Sequence, residues 1–167
     1  IGVVAYGKLG SRELGYNSDL DLIFICDRGI NPTDKGLYHS YYRLLQRLIH
    51  ILTTRTSAGQ LYEIDTRLRP DGRSGIAITP VDSFANYQLN KAQIWEHQAL
   101  VRARVIVGNT SLRRVFNQTR QQILCLPRKE KELQQSVVSM SKRISRENQR
   151  SANNNFDLKF GRGGLLD

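Results

Sequence analysis

The sequence predicts an α+β fold: strands and helices intermixed over residues 1–108, followed by an all-helical part over residues 109–167. Three observations carry that reading. Short apolar runs rich in β-branched residues lie near 1–6, 20–26, 61–68 and 76–79. Between them, LYHSYYRLLQRLIHILTT repeats apolar residues at helical spacing through Leu37, Tyr41, Leu44, Leu45, Leu48, Ile51 and Leu52. From Asn109 onward the text carries helix formers and charges, broken at Pro127.

Taken in order, residues 1–6 read as a strand, and GKLGSRELG has the glycines of a tight turn opening into a short helix. LDLIFIC at 20–26 is a second strand, and the polar DRGINPTDKG a loop before the amphipathic helix. After Ser57-Ala58-Gly59, LYEIDTRL alternates Tyr62, Ile64, Thr66 and Leu68 against Glu63, Asp65 and Arg67, until Pro70 ends the strand. DGRSG turns into the short strand IAIT. Helix resumes at VDSFANYQL, with Asp82 or Ser83 as caps, and continues through Trp95 to Val107. SLRRVFNQTRQQIL at 111–124 and a long segment to about Arg150 are helical, and Ser151-Ala152-Asn153-Asn154-Asn155 reads as a loop.

At 167 residues with 40% hydrophobic content the chain can bury a substantial core. No apolar stretch is long enough to span a bilayer and no leader opens the chain, so a cytoplasmic protein without membrane contact is expected. The chain opens inside a strand-like run and stops within a glycine-containing motif, as an excised piece of something longer would. Cys26 and Cys125 are too few for a disulfide framework and read as reduced, buried thiols. The net charge of +10 is uneven: residues 1–100 carry 11 Lys and Arg against 10 Asp and Glu, whereas residues 101–167 carry 14 against 5. A basic second part fits either an anionic partner or a set of solvated helices.

Asp19 and Asp21 stand one residue apart in a run that otherwise reads as a buried strand, so alternation points both carboxylates to one face. Side by side near a core, two such charges cost several kcal/mol unless a cation compensates. Mg²⁺, which takes hard oxygen ligands, would do so; the other reading is a strand end with one capping and one solvated aspartate. Gly10 and Ser11 precede the pair at a turn, and Asp65 lies on the polar face of a later strand. Together these parts suit nucleotidyl transfer: turn amides approach phosphates, and three carboxylates hold two metal ions that clamp the attacking and leaving oxygens.

The Gly-Ser, Asp-x-Asp and late Asp resemble the nucleotidyltransferase superfamily, which includes DNA polymerase β-like and poly(A) polymerase-like catalytic domains. More specifically, YGKLGSRELGYNSDLDLIF, TRTSAGQLYEIDTRLRPDGRSG, DSFANYQLNKAQIWEHQALVRARVIVG and FDLKFGRGGLLD look like the glutamine synthetase adenylyltransferase family, in order and essentially end to end. The resemblance implies a polymerase β-like catalytic domain with a mixed sheet, followed by a helical bundle. It also implies Asp19, Asp21 and Asp65 as catalytic and metal-binding residues, and Gly10 and Ser11 at the nucleotide phosphates. Ser11 stands where the family often has glycine. The implied substrates are ATP, with Mg²⁺, and a tyrosine of glutamine synthetase. A PII-type signalling protein would regulate the longer enzyme. The wording is closer to the adenylylating half than to the deadenylylating half, which would release ADP by phosphorolysis.

Arg67 shares a face with Asp65 and is a candidate phosphate ligand or an ion-pair partner of the neighbouring acids; Arg69 and Lys8 are weaker phosphate candidates. His97 reads as a hydrogen-bonded structural histidine, and Tyr38, Tyr41 and Tyr42 as core and rim packing. Lys159, Arg162, Gly163 and Gly164 form a basic glycine turn, either a plain loop or a substrate contact. A nucleic-acid-binding or template-independent polymerase module is the rival of another class, but no exposed aromatics interleave with basic residues as single-strand platforms require.

Overall fold

The computed structural model describes every residue except Asn17, 28–35, Ala58 and 152–167. The basic turn at Lys159, Arg162, Gly163 and Gly164 and the asparagine run of 153–155 therefore lie outside the described residues. The chain divides into two compact units, Ile1–Leu126 and Pro127–Asp167. The boundary expected at 108/109 falls inside the first.

In the first unit β1 (Gly2–Ala5) leads into the short helix α1 (Gly7–Ser11), and β2 (Leu20–Cys26) follows. Helix α2 (Leu37–Thr53) precedes a two-residue hairpin, β3 (Arg55–Thr56) and β4 (Gly59–Gln60). Then come β5 (Ile64–Asp65), β6 (Ile78–Pro80), α3 (Val81–Asn90), α4 (Ile94–Ala99), β7 (Arg104–Val107) and α5 (Thr110–Leu124). The described part of the second unit holds one helix, α6 (Glu130–Ser151).

β2 is the centre of a mixed five-stranded sheet. Its apolar, β-branched sequence suits a strand covered on both faces. One edge pairs antiparallel with β1, Val4 opposite Ile23; the other pairs in parallel with β5 at its start and with β6 at its end. β7 joins the far edge of β1, antiparallel, with a register shift between Val3 and Val4.

The alternation in β1 and β2 splits the core cleanly. Val3, Ala5, Leu22, Phe24 and Cys26 face α2, whose Leu45 is buried among them with Ile78. Val4, Ile23 and Ile25 face the opposite way, into Phe84 of α3 and Leu112, Phe116 and Ile123 of α5. The Phe84 and Phe116 rings stack at 5.3 Å. Helix α5 thus covers a whole sheet face, which is why the first unit runs on to Leu126. Its start is fixed by Asn109, whose side chain accepts from the Leu112 amide at 2.8 Å while its amide group donates to Asp27.

Several expectations change. Residues 104–107, read as helix, form strand β7: RVIV carries no breaker, but its β-branched residues complete the free edge of β1. The run 61–68 pairs only at Ile64 and Asp65, because β6 takes the rest of the same edge of β2. α3 begins at Val81 after Pro80, so neither Asp82 nor Ser83 caps it. Cys26 is buried and its thiol is pushed up to about 11, chiefly by burial, but Cys125 is exposed at the end of α5. No helix among the described residues is long and apolar enough to cross a membrane.

Two outcomes test this architecture. Phe116→Ala should cost about 3–5 kcal/mol in a chemical denaturation experiment, because it removes a ring fully enclosed at the sheet face. A chain ending at Leu126 should keep a cooperative melting transition, whereas one ending at Gly108 should lose it along with the cover of that face.

Candidate active site

The parallel pairing of β2 and β5 sets Leu20 opposite Ile64 and Asp21 opposite Asp65. Registered neighbours point the same way, so the apolar pair faces α2 while the two carboxylates lie together on the other side. The Leu20 amide donates to the Glu63 carbonyl at 2.8 Å, and the Tyr6 amide to the Asp21 carbonyl at 2.9 Å. Asp19 precedes the strand and is exposed. It lines a cleft of about 370 Å³ together with Glu63, Asp65, Arg67, Arg69 and Arg73. A second cavity of about 830 Å³, lined by Leu14, Tyr16, Leu61 and Tyr62, shares Asp19 and Glu63 with it.

Arg67 provides the positive charge. Its backbone amide donates to Asp65 Oδ1 at 2.8 Å and its Nε to Asp65 Oδ2 at 2.7 Å, with Nη2 bonded to the same Oδ2. The side-chain bonds from this guanidinium hold the Asp65 carboxyl below its ordinary range, against the opposing pull of partial burial. In return Asp65 raises Arg67, and the charges of Asp21 and Asp19 raise it further. One guanidinium therefore feels all three acids. Of the two roles open to Arg67 in the sequence, ion pairing is the one seen in this structure.

Arg69 organises the loop. It donates to Thr66 Oγ1 at 2.6 Å, to the Thr66 carbonyl at 3.2 Å and to the Gly75 and Arg73 carbonyls at 3.3 and 3.1 Å. Gly75 lets that loop close, since a Cβ there would meet the Pro70 carbonyl oxygen at 1.9 Å.

The glycine turn is itself the helix α1. The Gly10 amide donates to the Tyr6 carbonyl at 2.9 Å, and a Cβ on Gly10 would lie 1.8 Å from the Arg102 carbonyl oxygen. Ser11 Oγ donates back to the Gly7 carbonyl at 3.0 Å. Gly10 thus lets α1 pack tightly against the segment before β7, and the Ser11 hydroxyl closes the helix on itself. Lys8 Nζ donates to Ser18 Oγ at 3.5 Å, beside the loop that enters β2.

Two further positions, Gly7 and Arg104, also shape the site. Gly7 has φ +50°, and a Cβ there would stand 2.2 Å from Asp21 Oδ2, so only glycine accommodates the carboxylate. Its place in a glycine-rich turn was visible; its contact was not. Arg104 donates from Nε to the Gly10 carbonyl and from Nη2 to the Leu9 carbonyl, both at 3.0 Å, and so neutralises the carbonyl end of α1.

The WEHQALVRAR segment is structural. Glu96 closes a capping box with Gln93 and accepts from Tyr87 at 3.0 Å, and His97 Nε2 bonds the Gln88 carbonyl at 2.8 Å. Arg120 donates to the Leu100 and Val101 carbonyls at 2.7 Å, and Arg113 to the Val105 carbonyl. Part of the basic character beyond residue 100 thus serves backbone carbonyls within the first unit.

For a divalent cation the donor chemistry fits: Asp19, Asp21 and Asp65 are hard carboxylates whose charges all favour the positive charge of Arg67. Their side chains do not yet converge, since among the described residues no three His, Cys, Asp or Glu come close enough to hold one ion.

Arg67→Gln should raise the Asp65 pKa, measured by carboxyl carbon NMR titration. The sign for stability follows from the depressed value. The pair's contribution is present above the unfolded-state pKa and is lost as pH falls through the lower folded-state value; this acid-side loss should vanish in Arg67→Gln.

Residues 1–119 match the sequence profile of the glutamate–ammonia ligase adenylyltransferase family.

Proposed function

The chain belongs to the glutamate–ammonia ligase adenylyltransferase family, and from that premise we propose that it transfers AMP from ATP to a tyrosine hydroxyl of glutamine synthetase, releasing pyrophosphate. The observation that supports this most is the registered pair Asp21 and Asp65, with Asp19 and Asp65 on one cleft and the charges of all three acids felt by Arg67. Nucleotidyl transfer needs acidic residues held rigidly where a phosphoryl group and an attacking hydroxyl meet. Backbone pairing on a strand buried on both sides supplies that rigidity.

Asp19, Asp21 and Asp65 would hold Mg²⁺, which when bound polarises the α-phosphoryl oxygens and offsets charge on the leaving pyrophosphate. Asp65, on the cleft beside Asp19, would help accept the proton of the tyrosine hydroxyl. Arg67 and Arg73, on the same cleft, are suited to the triphosphate oxygens, and Lys8 reaches from α1 toward Ser18, beside Asp19. Gly10 and Ser11 fix α1 beneath this edge. Gly7 keeps the Asp21 carboxylate in place.

Asp19→Ala or Asp21→Ala should lower AMP transfer to glutamine synthetase by about 10³-fold or more, with little loss of fold because neither residue is in the core. Labelled ATP reports the direction. Pyrophosphate together with modified glutamine synthetase supports the proposal, whereas ADP formed from modified enzyme and phosphate would assign the chain to the deadenylylating half.

A further inference from the structure

We propose that Arg67 is an internal counter-ion that occupies the charge position of a divalent cation and must release Asp65 before that cation is held. The inference rests on the reading that Asp19, Asp21 and Asp65 bind metal, and it adds a positioning role for a residue outside the ligand set.

Asp65 has two oxygens, and both are engaged by Arg67: Oδ1 by its backbone amide, Oδ2 by Nε and Nη2. The Oδ2 lone pairs directed at the guanidinium are those a metal would need. Across the parallel ladder the next carboxylate is Asp21, and two like charges in register repel unless compensated. In the absence of a cation the Arg67 guanidinium neutralises Asp65 directly and is drawn by the charge of Asp21.

Exchange is also cheap for Arg67. Its side chain is 66% exposed against 18% for Asp65, so it leaves without opening a core. Arg69, by contrast, is tied to four acceptors in the loop and cannot stand in for it. The geometry of Arg67 thus gives the acids a resting partner and places the displaced guanidinium beside Arg73, on the cleft where phosphates would lie. Cation binding and the freeing of a phosphate ligand become one event.

The test is a thermal-melting titration of the whole 167-residue chain with MgCl₂ in the absence of nucleotide, at constant ionic strength. Arg67→Gln should melt below the wild-type chain in EDTA and reach half its Mg²⁺ stabilisation at about tenfold lower Mg²⁺. Arg67→Lys, which keeps the charge but not the forked donors, should shift the midpoint the same way by less and covers the case in which the glutamine variant does not fold. Arg67→Gln combined with Asp65→Asn should lose the Mg²⁺ response. An unchanged midpoint in the foldable variant, or no Mg²⁺ response in any of the proteins, overturns the proposal. Because no transfer is measured, a wrong direction of AMP chemistry would leave this result untouched.

Discussion

The cleft depends on two carboxylates held in register on adjacent parallel strands. Asp21 and Asp65 would separate if their backbones were free, since each gains by moving away from the other into water. They do not separate because β2 is locked on both edges, to β1 on one side and to β5 and β6 on the other, and is buried on both faces. Hydrophobic and hydrogen-bonding free energy gathered over the whole sheet is thus used to hold two acids side by side, while Arg67 offsets the charge of Asp65.

The surrounding residues follow from that constraint. Gly7 lacks a side chain because the Asp21 carboxylate fills the space. Arg67 lies beside Asp65 because the site otherwise carries an excess of negative charge. Arg69 and Gly75 shape a loop that returns the chain to the sheet as β6, and the hydroxyl of Ser11 is turned inward to complete a helix of five residues. Few of these groups are spare.

Much of this was legible in the sequence, for identifiable reasons. The apolar run of β2, the helical spacing of α2 and the Asp-x-Asp triplet are local signals, and each survives in the structure. What was not legible is long-range. Residues 104–107 look as helical as the text before them, and only the open edge of β1 makes them a strand. The partner of Arg67 was one of two readings until the loop geometry chose Asp65, and the packing of Gly10 against Arg102 joins residues more than ninety positions apart. The basic balance of the second part left an anionic partner and solvated helices both open, and it did not show that Arg113 and Arg120 end on carbonyls of their own unit.

The clamp of Arg104 on Leu9 and Gly10 has a kinetic side. Strand β7 is the last to be synthesised yet sits next to the first, and its arginine closes the helix that opens the site. When residues 1–65 have emerged from a ribosome this cleft therefore cannot yet be finished, although all three acids are already present. Contacts of such high sequence separation are slow to form. The acidic edge must wait, half built, for a strand that begins only at Arg104, and a nascent chain interrupted before that point carries the acids without the architecture that aligns them.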